Sequence, residues 1–416
     1  MSALPLQPAP FASLPEAFYA RVKPEPLSGV HWVAVNRELA ADLGLPDNFF
    51  EQEGVLEALS GSAAEYDVPP LAGVYAGHQF GVYVPQLGDG RAMLLGATAD
   101  KNGDVQEWQL KGAGKTPFSR FADGRAVLRS SVREYLASEA MHGLGIPTTR
   151  ALALAAADDK VFREQAETAA VVTRIAPAFI RFGHFEYFYH RNQPERVREL
   201  ADFLLANYFP ECAEAENPYL ALFVEIQRRT AELFARWQAV GFSHGVLNTD
   251  NLSVLGLTID YGPYGFLDNY DRRHVPNTSD RQGRYAYNAQ PVIAHWNLSS
   301  LAACFLDLAE HDDLAAELDR FPALFQTAYE AQMRAKLGLL SAEKDDAELF
   351  ADLFDSLQGQ GVDFTLFFRA LAEVDNAHDA PLPECLEKLF KKGDGKAFRL
   401  WLGRYRRRLR AENNEE

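Results

Sequence analysis

Cysteine is scarce in this chain. Cys212, Cys304 and Cys385 stand far apart among 416 residues, and no C-x-x-C pair occurs. Neither a disulfide framework nor a paired-thiolate zinc site is therefore expected, and the usage suits a reducing compartment. No apolar run is long enough to cross a bilayer. The opening MSALPLQPAPFASLP has no basic segment leading into an apolar one, so no secretory signal is expected. These absences make a cytoplasmic protein without membrane attachment the expectation. Positive charge is also short: 41 Lys and Arg face 58 Asp and Glu, a net charge of -17. A nucleic-acid partner needs a broad basic face to release counterions, so none is expected. A local basic pocket for a phosphate tail remains compatible, with a metal ion offsetting the repulsive field. Internal repeats and low-complexity linkers are missing as well.

What is present supports a large core. Hydrophobic residues make up 47% of the chain and charged residues 24%, the balance of a folded globular protein. Residues 71–115 are rich in Gly, β-branched and aromatic side chains, and read as strands joined by tight turns, with GDG and NGD as hairpin signals. A helix is expected over about Ser131–Gly143, with Ser131 and Glu134 spaced as a capping box. ALALAAADD and TAAVVTRIAP read as two further strands. Beyond Phe182 the periodicity turns helical, with helices over Arg196–Tyr208 and 218–240, the latter carrying Phe223, Ile226, Leu233, Trp237 and Val240 on one face. From about 298 the pattern is helical again, and RYRRRLRAENNEE reads as a helix end entering solvent. This order predicts an α+β, protein-kinase-like two-lobed fold. A β-rich N-terminal lobe would span 1–180, and a mainly helical C-terminal lobe 181–416, with additional helices from about 298.

Phosphoryl or nucleotidyl transfer needs a cradle for phosphates, cations to absorb charge and a group to orient the nucleophile. Gln86-Leu87-Gly88-Asp89-Gly90-Arg91 offers the first, since glycines let a turn present its amides to phosphate oxygens. Taken alone, an ordinary hairpin is the better reading of it. Lys111 ends the strand-like run EWQLK, where a phosphate contact and a solvated strand end are equally good readings. Glu134 is placed to pair with Lys111 or to close the capping box. The strongest signal is HGVLNTDN (244–251), followed by a hairpin pattern over Leu252–Ile259 pivoting on Gly256, then Asp260-Tyr261-Gly262. Kinase-like enzymes share this layout of a catalytic loop ending in a metal-binding Asn, a hairpin, and an Asp-aromatic-Gly whose Asp binds metal. Asn251 and Asp260 supply the hard oxygen ligands that Mg²⁺ takes beside phosphates. Small-molecule kinases of this plan often carry His-Gly-Asp, but here the third position is Val246, which cannot accept a proton. Asp250 is the nearby carboxylate left to serve as base. Arg174 and Arg181, seven residues apart, match phosphate oxygens in two-point geometry; surface ion pairing is the plainer reading of them alone. His244 is read as a structural histidine, and Trp108, Trp237 and Trp296 as core. Asp123-Gly124 is a turn signal without a chemical message of its own.

Together the stretches YAGHQFGVYVPQLGDGRAMLLG, WQLKGAGKTPFSRFADGRAVLRSSVREYLASEAMHGLGIPTTRAL, VVTRIAPAFIRFGHFEYF and FSHGVLNTDNLSVLGLTIDYGPYGFLD, over about 72–270, resemble the selenoprotein O family, called YdiU in bacteria. The resemblance implies a kinase-like pseudokinase that binds ATP flipped relative to kinases and transfers AMP to Ser, Thr or Tyr hydroxyls of proteins. It implies Asp250 as catalytic base, and Asn251 and Asp260 as ligands of Mg²⁺ or Mn²⁺. It further implies Gly88, Gly90, Arg91, Lys111, Asp123, Gly124, Arg174, Arg181 and Asp260 as nucleotide contacts, with Glu134 supporting Lys111. Some bacterial relatives are described as using UTP with Mn²⁺, and base preference stays open. A phosphotransferase of the same fold and a non-catalytic nucleotide-binding scaffold are the alternatives. Eukaryotic members of the family end in a selenocysteine motif, and many bacterial ones carry a cysteine there. Here the last cysteine is Cys385, so redox control through a terminal pair is not expected.

Overall fold

The computed structural model describes residues 4–377, 380–393 and 395–412. It is mixed α and β, with one large antiparallel sheet and many helices. Two compact units are distinguished: residues 1–226, 248–262 and 297–317, and residues 227–247, 263–296 and 318–416.

The first unit contains the eight-stranded sheet. Its strands are β1 (Tyr19–Arg21), β2 (His31–Val35), β3 (Leu71–Gly73), β6 (Ala92–Ala99), β7 (Val105–Lys111), β8 (Ala126–Val127), β9 (Arg150–Phe162) and β10 (Ala166–Ala176). A separate hairpin, β4 (Gly77–Gln79) and β5 (Val82–Val84), lies between β3 and β6 in sequence. The spatial order is β1-β3-β6-β7-β10-β9-β2, with β8 beside β10. Alternation along the strands divides the side chains between two faces. Trp108 and Leu110 of β7, Met93 and Leu95 of β6, and Val171 and Ile175 of β10 enter one core with Leu39, Phe49, Phe50, Val55 and Leu59 from the N-terminal segment. On β7 the intervening residues are Glu107, Gln109 and Lys111, all buried. In register opposite them on β10, Val172 faces Lys111 and Arg174 faces Gln109. The same strands that build the core thus line up a polar strip on their other side.

The helix Leu128–Gly143 covers that side, burying Ser131, Glu134, Ala137, Ser138 and Met141. It begins three residues before the expected Ser131, with Val127 as an N-cap that makes no side-chain cap bond. The expected capping box is not formed, because Ser131 is already inside the helix and the Glu134 carboxylate goes to two cations of the sheet. The NGD turn does join β6 to β7, pairing Ala99 with Val105. GDG does not make a hairpin, because the flanking β5 and β6 lie in different sheets. The arms of the expected Leu252–Ile259 hairpin also do not pair with each other. Ser253 bridges Arg181 and Thr258 bridges Thr148, so each arm is drawn to a different neighbour while Gly256 makes the turn at φ 70°.

The second unit is built on a helical core. Met333, Leu337, Leu349, Phe350, Leu353, Phe364, Phe367, Trp401 and Tyr405 pack together, with Leu267 and Tyr270 among them. The basic helix Lys396–Glu412 enters this core through Phe398, Trp401, Leu402 and Tyr405, and Arg408 pairs with Asp346 and Glu412. The helix is thus anchored by its apolar face up to Tyr405, and the expected entry into solvent falls in part on residues 413–416, outside the described residues. His244 is fully buried, and its main-chain N–H donates to Gln290 Oε1 at 2.9 Å, in keeping with a structural histidine. Trp108 and Trp237 are core residues, whereas Trp296 is half-buried under the Arg284 guanidinium. No helix among the described residues is long and apolar enough to cross a membrane.

Candidate active site

The polar strip, the helix above it and two loops converge on Asp260. Lys111 Nζ donates to Glu134 Oε2 at 2.6 Å and to Asp260 Oδ1 at 2.9 Å. Arg174 Nη1 reaches Asp260 Oδ1 at 2.8 Å and Glu134 Oε1 at 3.2 Å. Arg181 Nη1 donates to Asp260 Oδ2 and to the Asp250 main-chain oxygen, the latter at 2.7 Å. Neither arginine is a surface residue, since each is 2% exposed, and Lys111 is buried as well. Asp260 has φ 57°, a left-handed conformation that Asp tolerates better than most residues, and this turns it into the cluster.

Burial works against every charge here, and opposite charge decides the outcome. For Asp260, burial would raise the pKa, but Arg181, Lys111 and Arg174 hold it well below the usual carboxylate range. Burial would likewise lower both guanidinium values, yet Asp260 and Glu134 beside Arg174, and Asp260 beside Arg181, keep them above the ordinary arginine value. Three cations therefore meet two partner carboxylates, Glu134 and Asp260. The Nε of Arg174 and that of Arg181 are buried donors with no hydrogen-bond partner, a composition that receives an anion well.

Asp250 lies in the short turn Thr249–Asn251. Its Oδ2 accepts from Gln79 Nε2 at 3.3 Å, and its Oδ1 is buried with no partner. Burial, only partly offset by Arg181, pushes its pKa up to about 7. The β4–β5 hairpin reaches this turn through several bonds. The His78 N–H donates to Thr249 Oγ1 at 2.7 Å, His78 Nδ1 lies 2.6 Å from Glu186 Oε1, and Thr249 Oγ1 donates to Glu186 Oε2. The approach needs Gly77, where a Cβ would lie 2.9 Å from Asp250 Oδ1 and 3.0 Å from Thr249 Oγ1.

The residues singled out in the sequence thus separate into groups. Lys111, Glu134, Arg174, Arg181 and Asp260 form one bonded cluster, and Arg181 ties Asp250 to it. Asn251 follows Asp250 in the same turn. Gly88 and Gly90 flank Asp89, and Arg91 beside them is exposed. Asp123 instead pairs with Arg163 at 2.7 Å, and Gly124 packs against Gly114; no bond joins either to the Asp260 cluster among those described. Gln79, Glu186 and Gln109 were not anticipated. Gln109 shares a strand face with Lys111, a signal that period-two alternation carries. Gln79 lies 171 residues from Asp250, and nothing local marks that pairing.

For a divalent cation, Asn251 and Asp260 offer an amide and a carboxylate oxygen, the hard donors that Mg²⁺ combines with phosphates. The Asp260 side chain keeps 21% exposure, against 9% for Lys111 and 2% for each arginine, so the carboxylate is the member of the cluster open to an incoming group. The donor set fits such an ion. Among the described residues no group of three or more His, Cys, Asp or Glu is placed to hold a metal ion.

The family model described as protein adenylyltransferase SelO matches residues 3–416. A relative from Thioalkalivibrio sulfidiphilus, named protein nucleotidyltransferase YdiU, is 51% identical over 413 residues, covering 98% of this chain and 83% of its own length. Proteins of the same name from Thiobacillus denitrificans and Burkholderia ambifaria are 50% and 48% identical, covering 96% and 98% of this chain and 81% of each relative. With a family model across nearly all of its residues and relatives of this similarity, the chain belongs to the SelO family of protein nucleotidyltransferases.

Proposed function

We propose that this chain transfers AMP from ATP to Ser, Thr or Tyr hydroxyls of proteins, with Asp250 as general base. The observation that carries the reading is the Asp250 carboxyl, buried, with one oxygen lacking a partner and a pKa near 7. A base poised near the working pH balances availability against proton-accepting strength. In the proposed step the acceptor hydroxyl oxygen forms a bond to the α-phosphorus as its proton passes to Asp250. The bond from the α-phosphorus to the bridging oxygen breaks, and pyrophosphate leaves with that electron pair. Lys111, Arg174 and Arg181 hold the terminal phosphates deep in the site, which is the flipped orientation relative to kinases. Their excess of positive charge over Glu134 and Asp260 supports this placement. Gly88, Gly90 and Arg91, with Asp123 and Gly124, are assigned to the rest of the nucleotide.

Asn251 and Asp260 would hold Mg²⁺ or Mn²⁺, which when bound supplies positive charge to the phosphates. The same reading carries a kinase-like organisation, with a β-rich lobe over 1–180 and a helical lobe over 181–416. The confinement of the large sheet to Tyr19–Ala176 supports it. The test is intact mass spectrometry of an acceptor protein after incubation with ATP and Mg²⁺. The wild type should add the mass of AMP. Asp250→Asn should lower the rate about a hundredfold or more while leaving ATP affinity within a few-fold. Full transfer by the variant would remove Asp250 as base.

A further inference from the structure

Asp89, the centre of the Gly88-Asp89-Gly90 turn, is only 7% exposed. Its side chain is turned into the protein, where the proposed chemistry gives it no task. Its Oδ2 accepts from the Gly73 N–H at 2.9 Å and from Gln109 Nε2 at 3.5 Å. Gln109 in turn accepts, through Oε1, a hydrogen bond from Arg174 Nη2. Its Oδ1 accepts from the Tyr75 hydroxyl at 3.4 Å, and the Arg181 guanidinium lies 5.0 Å above the Tyr75 ring. One carboxyl is thereby joined to both arginines along two separate routes. We propose that Asp89 is a positioning residue that sets Arg174 through Gln109 and Arg181 through Tyr75, so that the glycine turn and the arginine pair address one triphosphate as a unit. The proposal rests on the reading of that pair as the group holding the terminal phosphates.

The main chain around Asp89 is fixed well enough for such a task. The Asp89 N–H donates to the Gly73 oxygen at 2.9 Å, returning the bond that its side chain receives. Thr116 Oγ1 donates to the Asp89 oxygen at 2.8 Å, and Ser119 Oγ to the Gly90 oxygen at 2.5 Å. A Cβ at Gly88 would lie 2.6 Å from the Phe118 ring, and one at Gly90 2.9 Å from the Phe118 oxygen, so the turn is packed against that residue without slack. Burial raises the Asp89 pKa while Arg181 and Arg174 draw it down, which places both guanidinium groups within its electrostatic reach. An arginine fork recognises phosphate only when its plane is aligned. Both routes act on a guanidinium: a hydrogen bond to an Nη of Arg174, and a ring face under Arg181.

A purely structural Asp89 would affect all nucleotides alike, whereas a positioning Asp89 affects those with terminal phosphates. The experiment is calorimetric titration of the intact chain with ATP and with AMP, each with Mg²⁺, reading the ratio of the two Kd values. Asp89→Ala should lose about tenfold of the preference for ATP over AMP, and Asp89→Asn, which keeps an acceptor for Gly73, should recover most of it. Since Asp89→Ala also strips the Gly73 N–H of its partner and endangers the fold, Gln109→Met provides a second test that leaves that bond in place. It should lose several-fold of the preference by releasing Arg174. Arg174→Ala is the control. If it loses the preference while Asp89→Ala and Gln109→Met both keep the wild-type ratio, the positioning role is overturned. If Arg174→Ala itself keeps the ratio, the placement of the arginines on the terminal phosphates is wrong, and the inference falls with it.

Discussion

At the scale of single residues, burial sorts the carboxyls of the site into two kinds. Asp260 touches three cations and stays ionised, while Asp250, Asp89 and Glu107 are raised because burial outweighs their partners. Glu107 is the clearest case outside the proposed chemistry. It is 1% exposed, its Oε1 has no partner, and burial lifts its pKa to about 8 despite main-chain bonds from Phe179 and Phe11. Its folded pKa thus stands above the ordinary 4.5, so the folded chain binds the proton more tightly than the unfolded one. The resulting stability is complete below about pH 4.5 and is lost progressively as pH rises to about 8. Tm measured by calorimetry should therefore fall between pH 5 and 8, and Glu107→Gln, which is neutral throughout, should reduce that slope. An unchanged slope would show that Glu107 is ionised inside the fold. Lys111, Glu134, Asn251 and Asp260 could be singled out in the sequence because their residue types and order carry the chemistry. The roles of Asp89 and Gln109 could not, because their side chains act through neighbours that only the folded sheet supplies.

At the scale of elements, EWQLK was legible as a strand and Trp108 as core; the folded strand adds that Leu110 shares the core face with Trp108 while Lys111 lies on the opposite one. The helix after it was legible too, but its start was not. Ser131 looked like a cap because Glu134 follows at the right spacing, whereas the structure spends that carboxylate on Lys111 and Arg174. A buried ion pair overrides a local capping preference when leaving the cations unpaired would cost more. The arms around Gly256 were misread for a related reason, since Ser253 and Thr258 find partners elsewhere in sequence. The contact between the helix Phe182–Tyr189 and the non-strand segment 74–76 before β4 is equally non-local. Gly183 accepts from the Ala76 N–H at 3.0 Å, and a Cβ there would lie 2.2 Å from the Ala76 oxygen and 3.5 Å from the Asp250 Cα. Gly183→Ala should therefore push the hairpin from the Asp250 turn and cost roughly 2–3 kcal/mol of stability. Denaturant titration should show the lowered midpoint, and a transfer assay below the new midpoint should show lowered activity. An unaltered midpoint would mean that this contact gives way without strain.

At the scale of the whole molecule, a chain of net charge -17 must bind a polyanion. Long-range electrostatics oppose that, and the proposed remedy lies within a few ångströms, where Lys111, Arg174 and Arg181 outnumber Glu134 and Asp260. Interactions at that range escape most of the screening that weakens distant charges. The same chain covers 81–83% of the length of these relatives, and the residues of the candidate site all fall within the span matched by the family. The central claim is that the α-phosphorus is attacked and the terminal phosphates leave. It is tested most directly by supplying ATP labelled at either the α- or the γ-phosphate, with Mg²⁺ or Mn²⁺ and a protein acceptor, to the wild type and to Asp260→Ala. Protein-bound label is expected from the α-position alone, lost in the variant and absent without the metal. Label arriving from the γ-position would instead show phosphate transfer and would contradict both the flipped nucleotide and the role given to the arginine pair.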